Sequence, residues 1–180
     1  MKTVRRASNV VALRQAKADE TFRRADKQQE LGNLKSGFRL LLTAAKMGNE
    51  SAQHNLGYTY DVGLGVCRNR AAAMFWYKKA YRNGRGSASA AANIGTIYRD
   101  ERNEPQAIAW FRRAIQHGDI DANLELAKLY LRKSNCQGKA FHCLQTVLDS
   151  TPPIGVCEDS QEAARMLQAG LSKKVSRRNT

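Results

Sequence analysis

Residues 52–84 read AQHNLGYTYDVGLGVCRNRAAAMFWYKKAYRNG. Ala52, Leu56 and Tyr60 recur at i, i+4 and i+8, which places them on one face of a helix. Ala73, Trp76, Tyr77 and Ala80 share one face of a second helix in the same way. Between them stand Gly63 and Gly65, placed to end the first helix, because glycine adopts the positive φ such an ending requires. The stretch therefore predicts two amphipathic helices joined by a glycine-punctuated loop.

The same series returns downstream. Residues 90–118 give Ala90, Ile94-Gly95, Tyr98, Ala107, Trp110-Phe111, Arg113-Ala114 and Gly118. A weaker copy follows with Ala122, Leu126-Ala127, Tyr130, Ala140, Cys143-Leu144 and Val147. An earlier half-copy reads Gly37, Leu40-Leu41, Ala44 and Gly48. The second-helix marks Gly37, Ala73, Ala107 and Ala140 are 36, 34 and 33 residues apart. Such a period is the signature of stacked helix pairs. Its small variations fall in the loops, where length is free, and not in the helices, where phase is fixed.

These residues resemble the Sel1-like repeat, a relative of the tetratricopeptide repeat. Residues 52–84 match nearly every mark of the family pattern, departing at Asn69, where the family has Asp, and at Tyr81, where it has Ala. The resemblance covers about residues 37–148 and implies an all-α, right-handed α/α solenoid of three to four helix pairs. It also implies a non-catalytic interaction scaffold or adaptor. Around it, residues 11–31 read as an opening helix ended at Gly32-Asn33, and Ser160 to Leu171 as a closing helix with Ser160 as its N-cap. Pro152-Pro153 breaks the chain between the last pair and that helix. The resulting division is a basic flexible arm over 1–10, the helical solenoid over 11–171 and a basic tail over 172–180.

Charge sets the choice of partner. The chain carries +14, pI ≈ 10.0. Residues 1–84 hold sixteen Lys or Arg against six Asp or Glu, and residues 85–180 hold fourteen against ten. So basic a first half favours acidic partners. Met1 to Arg6 could pass for the start of a leader, but the apolar run Val10-Val11-Ala12-Leu13 ends at Arg14, far short of an export signal or a membrane span. The expectation is a cytoplasmic protein with no membrane span.

Chemistry finds little support. Cys67, Cys136, Cys143 and Cys157 form no CxxC pair, and Cys136, His142, Cys143 and Cys157 match no standard zinc spacing. Buried free thiols are expected instead. His54, His117 and His142 have no recurring carboxylate or cysteine partner. Asp61 and Asp100 fall near helix ends as solvated carboxylates, and Gly63-x-Gly65 lacks the strand and third glycine of a phosphate loop. No cofactor, metal or small-molecule substrate is expected.

Two surfaces remain as candidates. With Leu56 at the centre of the buried face, His54 and Tyr58 point the other way with Asn55 beside them. The equivalents are Ala92, Thr96 and Asn93, then Leu124, Lys128 and Glu125. In helix-pair solenoids this side lines the concave surface. His54, Asn55, Tyr58, Asn93, Thr96 and Lys128 are therefore candidates to hold a protein partner, with Tyr58 and Leu124 as exposed anchors. A cognate inhibitor or immunity protein masking an acidic toxin is one specific form. The second helices carry Arg39, Lys46, Lys78, Arg82 and Arg112 outward, with Phe75 sharing their face and His142 and Gln145 standing in the last copy. That basic convex stripe is the basis of the alternative, a nucleic-acid-binding repeat protein. Against it, no nucleic-acid-reading motif is present and exposed aromatics do not interleave regularly. Arg5-Arg6-Ala7-Ser8 resembles a basic-directed phosphorylation site.

Overall fold

The computed structural model describes residues 2–83, 87–150 and 157–176, with side chains described over 9–83, 87–150 and 157–171. Among the described residues there are nine helices and no strand. In order they are α1 (Lys2–Glu30), α2 (Leu34–Met47), α3 (Glu50–Val62), α4 (Arg70–Asn83), α5 (Ala88–Asp100), α6 (Glu104–Gln116), α7 (Ala122–Leu131), α8 (Gln137–Asp149) and α9 (Glu158–Ser176). The architecture is an all-α helical-repeat solenoid. Each pair packs internally, α1 on α2, α3 on α4, α5 on α6 and α7 on α8. The chain divides into two compact units, residues 1–85 and 86–180, and each is described by itself.

In the first unit the core gathers Ala25, Leu41, Ala44, Ala45, Ala52, Leu56 and Trp76. Phe22, Phe38, Leu40, Leu42 and Tyr60 pack against it partly buried, with Phe38 edge-on to Tyr60 at 5.7 Å. Small residues in this core set the helix spacing. A Cβ on Gly57 would lie 2.6 Å from the Tyr77 ring, so the absence of a side chain is what lets α3 and α4 approach. Polar groups are closed off inside. Gln53 is fully buried, donates to the Ala45 carbonyl at 3.0 Å and accepts from Asn83 at 2.9 Å. One side chain thus joins α2, α3 and α4, and leaves no buried amide unsatisfied.

Caps fix where helices begin. Asn49 accepts from the Ala52 amide at 2.6 Å and donates to Asp19 of α1 at 2.7 Å. Asn69, at the position where the resemblance has Asp, accepts from the Ala72 amide at 2.9 Å and so caps the start of α4. Gly63 ends α3 at φ +81° and Gly65 follows at φ +70°, as the loop reading requires. Gly32 stands just past α1 at φ +77°.

The second unit repeats the scheme. Phe111, Ile94, Ile97, Leu129, Leu144 and Val147 are its large fully buried side chains. Gly95 faces Phe111 as Gly57 faces Tyr77, with a Cβ 2.8 Å from the ring. The closing helix is tied to α8 by Gln161 donating to the Ser150 carbonyl at 2.6 Å and Gln168 donating to Gln145 at 2.9 Å.

Several boundaries differ from the sequence reading. Helix α1 runs from Lys2, through the segment set apart as an arm, and α9 continues to Ser176. Helix α9 also starts at Glu158, so Ser160 is in its first turn and is not the N-cap. Glu158 and Asp159 suit that start, because carboxylates are favoured at a helix N-terminus. Pro152-Pro153 and the side chains of Arg5-Arg6-Ala7-Ser8 and of the tail lie outside the described residues. Of the thiols, only Cys143 is buried; Cys136 is half-buried, and Cys67 and Cys157 are exposed. Asp61 and Asp100 are not simply solvated: Arg68 and Arg70 each stand 3.8 Å from Asp61, and Arg99 stands 3.0 Å from Asp100.

Candidate functional site

The first-helix candidates in the first unit form a short ridge on α3. Leu56 is fully buried and Tyr58 is 51% exposed, as the helix wheel requires. His54 is half-buried, with its ring 5.6 Å from Tyr77 and its Nδ1 3.3 Å from the Asn55 Oδ1. Burial, aided by the Asp61 charge and Tyr58, pushes the Tyr77 hydroxyl well above its ordinary value, so it stays neutral. The ridge therefore offers an aromatic ring, an imidazole and an amide.

In the second unit the same side is differently built. Asn93 and Thr96 are half-buried on α5. Lys128 is exposed but engaged, donating to Glu125 at 2.6 Å. Glu125 also pairs with Arg99 of α5. Burial raises the Glu125 carboxyl, yet Lys128 and Arg99 outweigh it and hold the group below its usual range. This network braces α5 against α7. Leu124, expected as an exposed anchor, is only 6% exposed. The wheel position alone does not register the neighbours of α7, on which α6, α8 and α9 all pack.

The second-helix candidates also divide. Arg39, Lys46 and Arg82 are exposed in the first unit, and Lys78 is half-buried with its carbonyl accepting from Arg82 at 3.3 Å. Phe75 is 53% exposed among them, edge-on to Trp76 at 5.1 Å and 5.9 Å beneath the Lys79 ammonium. Of the two tryptophans at the packing mark, Trp76 is buried, but Trp110 is half-buried and carries the Arg113 guanidinium 4.5 Å from its ring.

Arg112 enters a feature that the sequence reading did not assemble. It lines a cleft of about 470 Å³ in the second unit, together with Leu126, Tyr130, Lys139, His142 and Cys143. Its Nη2 donates to the Tyr130 hydroxyl at 2.8 Å, and the Lys139 ammonium stands 6.0 Å from the Tyr130 ring centroid. Burial pushes the Cys143 thiol up, with Arg112 acting in the opposite sense. The signal for the cleft was in the sequence: Cys143 occupies the mark that is Trp76 and Trp110 in the two preceding copies.

Among the described residues, no three His, Cys, Asp or Glu side chains are grouped so as to hold a metal ion, and no helix is long and apolar enough to cross a membrane. The sequence model of the Sel1 repeat matches residues 50–84, 88–119 and 115–139. These matches fall on α3/α4, α5/α6 and the start of α7/α8, each with the packing marks described above.

This chain is a Sel1-like repeat protein. The third Sel1 match ends at residue 139, before Cys143, where the repeat departs from its pattern. The chain is similar to the ERAD-associated E3 ubiquitin-protein ligase component HRD3B of Arabidopsis thaliana, 31% identical over 111 residues, covering 58% of this chain and 17% of that one. It spans only about a sixth of the length of the curated relatives it matches. Among solved structures, c5321, a protective antigen of uropathogenic Escherichia coli with an SLR fold, superposes at TM-score 0.64 and 23% identity over 87% of this chain and 42% of that one. A Sel1 repeat protein from Oxalobacter formigenes gives TM-score 0.61 and 21% identity over 87% of this chain and 73% of that one. These structures share the fold. Sel1-repeat proteins are in general non-catalytic scaffolds for protein–protein interaction.

Proposed function

We propose that this Sel1-like repeat protein is a non-catalytic adaptor that holds an acidic protein partner on the exposed sides of its first helices. The observation that carries this reading is Tyr58, a large aromatic half out in solvent on a polar ridge with His54 and Asn55. Tyrosine in such a setting anchors interfaces, since it buries much area at little entropic cost and keeps a hydrogen-bonding tip. The +14 charge adds attraction for an acidic surface. Asn93, Thr96 and Lys128 are the proposed contacts of the second unit, Lys128 with reduced weight because Glu125 already holds it. A cognate inhibitor that masks an acidic toxin is one form of this function. That HRD3B is itself a component of a larger assembly agrees with an adaptor role.

A second reading has one observation in its favour. Phe75 stands exposed beside Lys78, Lys79 and Arg82 on α4, a ring among cations as single-stranded nucleic acid would require.

One experiment separates them. The partner is captured from native lysate and identified by mass spectrometry, and its binding is then measured by calorimetry at two salt concentrations. Tyr58→Ala with Asn93→Ala should weaken a protein partner at least tenfold without unfolding the chain. Lys78→Glu with Arg82→Glu should mainly slow association, because distant charges steer more than they hold. A silent first pair beside a Lys78→Glu, Arg82→Glu variant that no longer binds would end the adaptor reading in favour of nucleic acid, where phosphate contacts dominate affinity.

A further inference from the structure

Repeats within one chain permit an internal comparison. In the first unit the Trp76 indole, 8% exposed, belongs to the cluster that contains Leu41, Ala52 and Leu56, and Leu42 and Tyr60 pack on it partly buried. Counting from the second-helix marks Ala73 and Ala140, Trp76 corresponds to Cys143. Counting from the earlier marks Gly37 and Ala107, Leu42 corresponds to Arg112. Leu56 and Tyr60 correspond to Leu126 and Tyr130. Two residues have therefore changed character at one place in the fold. An indole has become a thiol, and an aliphatic side chain has become a guanidinium.

The consequence is the cleft between α6, α7 and α8. Its volume of about 470 Å³ opens where the two preceding copies carry an indole. The floor is apolar, formed by Leu126 and Cys143, which are 4% and 6% exposed. The rim is cationic. Arg112 is held in place by its 2.8 Å bond to the Tyr130 hydroxyl, and Lys139 flanks the Tyr130 ring from α8. Among the described residues no carboxylate lines the cleft, so neither cation is neutralised by them from within it. An open slot with an apolar floor and a fixed basic rim selects a ligand that has both characters side by side.

We propose that this cleft is a docking slot for a segment of an acidic protein, taking one large apolar side chain into the place of the missing indole and the adjoining carboxylates at Arg112 and Lys139. Charge complementarity chooses acidic protein as the occupant, and the apolar floor requires more than charge alone. The slot rests on the reading of the chain as a protein-binding scaffold, and adds a contact surface on the second helices to the one proposed on the first. Arginine is suited to this role because its planar fork engages a carboxylate with two parallel bonds.

The test uses a defined probe and not the natural partner, so its failure is separate from that of the adaptor reading. The probe is a capped heptapeptide with a central tryptophan flanked by aspartate and glutamate, titrated calorimetrically into the full chain. Binding should fall at least tenfold when Asn and Gln replace the acids, and again when alanine replaces the central tryptophan. Cys143→Trp, which restores the residue of the two preceding copies, should abolish binding while the melting temperature holds or rises. Arg112→Gln with Lys139→Gln should weaken binding at least tenfold and flatten its salt dependence; this surface pair carries the test if Cys143→Trp does not fold. Peptide binding that survives both sets of variants, or no binding by the wild-type chain, overturns the proposal. So does a single-stranded oligonucleotide that binds in place of the peptide and is lost in Cys143→Trp.

Discussion

Replacing Gly57 by alanine tests the contact on which the repeat geometry rests. The new Cβ would lie 2.6 Å from the Tyr77 Cδ1 and 2.7 Å from its Cε1, about 0.8 Å inside ordinary van der Waals contact. Tyr77 is 1% exposed and has the His54 ring at 5.6 Å, so it has no solvent to retreat into. The clash must be relieved by separating α3 from α4, and overpacking of this kind costs about 1–3 kcal/mol. Alanine offsets about 1 kcal/mol of that through its better helix propensity. The net loss is about 0–2 kcal/mol, which for a chain of this length lowers the melting temperature by up to about 8 °C. Gly170→Ala is the control, since its Cβ meets nothing within 4 Å in an exposed turn of α9. There only propensity acts, and the gain should be about 0.5–1 kcal/mol. Thermal melts followed by circular dichroism compare the variants directly. If Gly57→Ala stabilised the chain as Gly170→Ala does, the glycine would not be setting the helix spacing and the packing argument would fail. Gly95→Ala, 2.8 Å from the Phe111 ring, should behave like Gly57→Ala.

Two further outcomes follow from the burial and charge of single residues. Trp76→Ala should cost about 3–5 kcal/mol, as for a buried aromatic, and Trp110→Ala only about 1–2 kcal/mol, because its indole is half in solvent; equal losses in denaturant titrations would contradict the difference in burial. Glu125 has a depressed pKa, so its contribution to stability is present above its unfolded value of about 4.3 and is lost as pH falls through the lower folded value. Glu125→Gln should therefore melt below wild type at neutral pH, with the gap closing in acid, and a gap that does not change with pH would show that the network with Lys128 and Arg99 is not the cause.

Much of this protein is legible in its sequence because its information is local. The recurrence of Ala, Leu-Gly and Tyr, followed by Ala and Trp-Tyr, identifies helix pairs. A helix face is fixed by spacing alone, and Gly57 and Gly95 sit where the aromatic of the partner helix must pass. Gly63 and Gly65 mark the end of α3 because few other residues take their backbone angles. The exposure of Tyr58 follows from the same wheel that buries Leu56.

What the spacing does not contain is the identity of neighbours brought in from elsewhere in the chain. Leu124 is buried although the wheel turns it outward, and α9, some thirty residues downstream, packs on the helix that carries it. Lys128 is an available cation on the wheel, yet Glu125 occupies it and ties in Arg99 of α5. Trp76 and Trp110 hold the same mark in the repeat and differ in burial. The cleft shows the division most plainly. The change from tryptophan to Cys143 is written in the sequence, but Arg112, Tyr130 and Lys139 meet around it only because α6, α7 and α8 pack together. A missing side chain becomes a site only when its neighbours hold the space open, and only tertiary packing decides that.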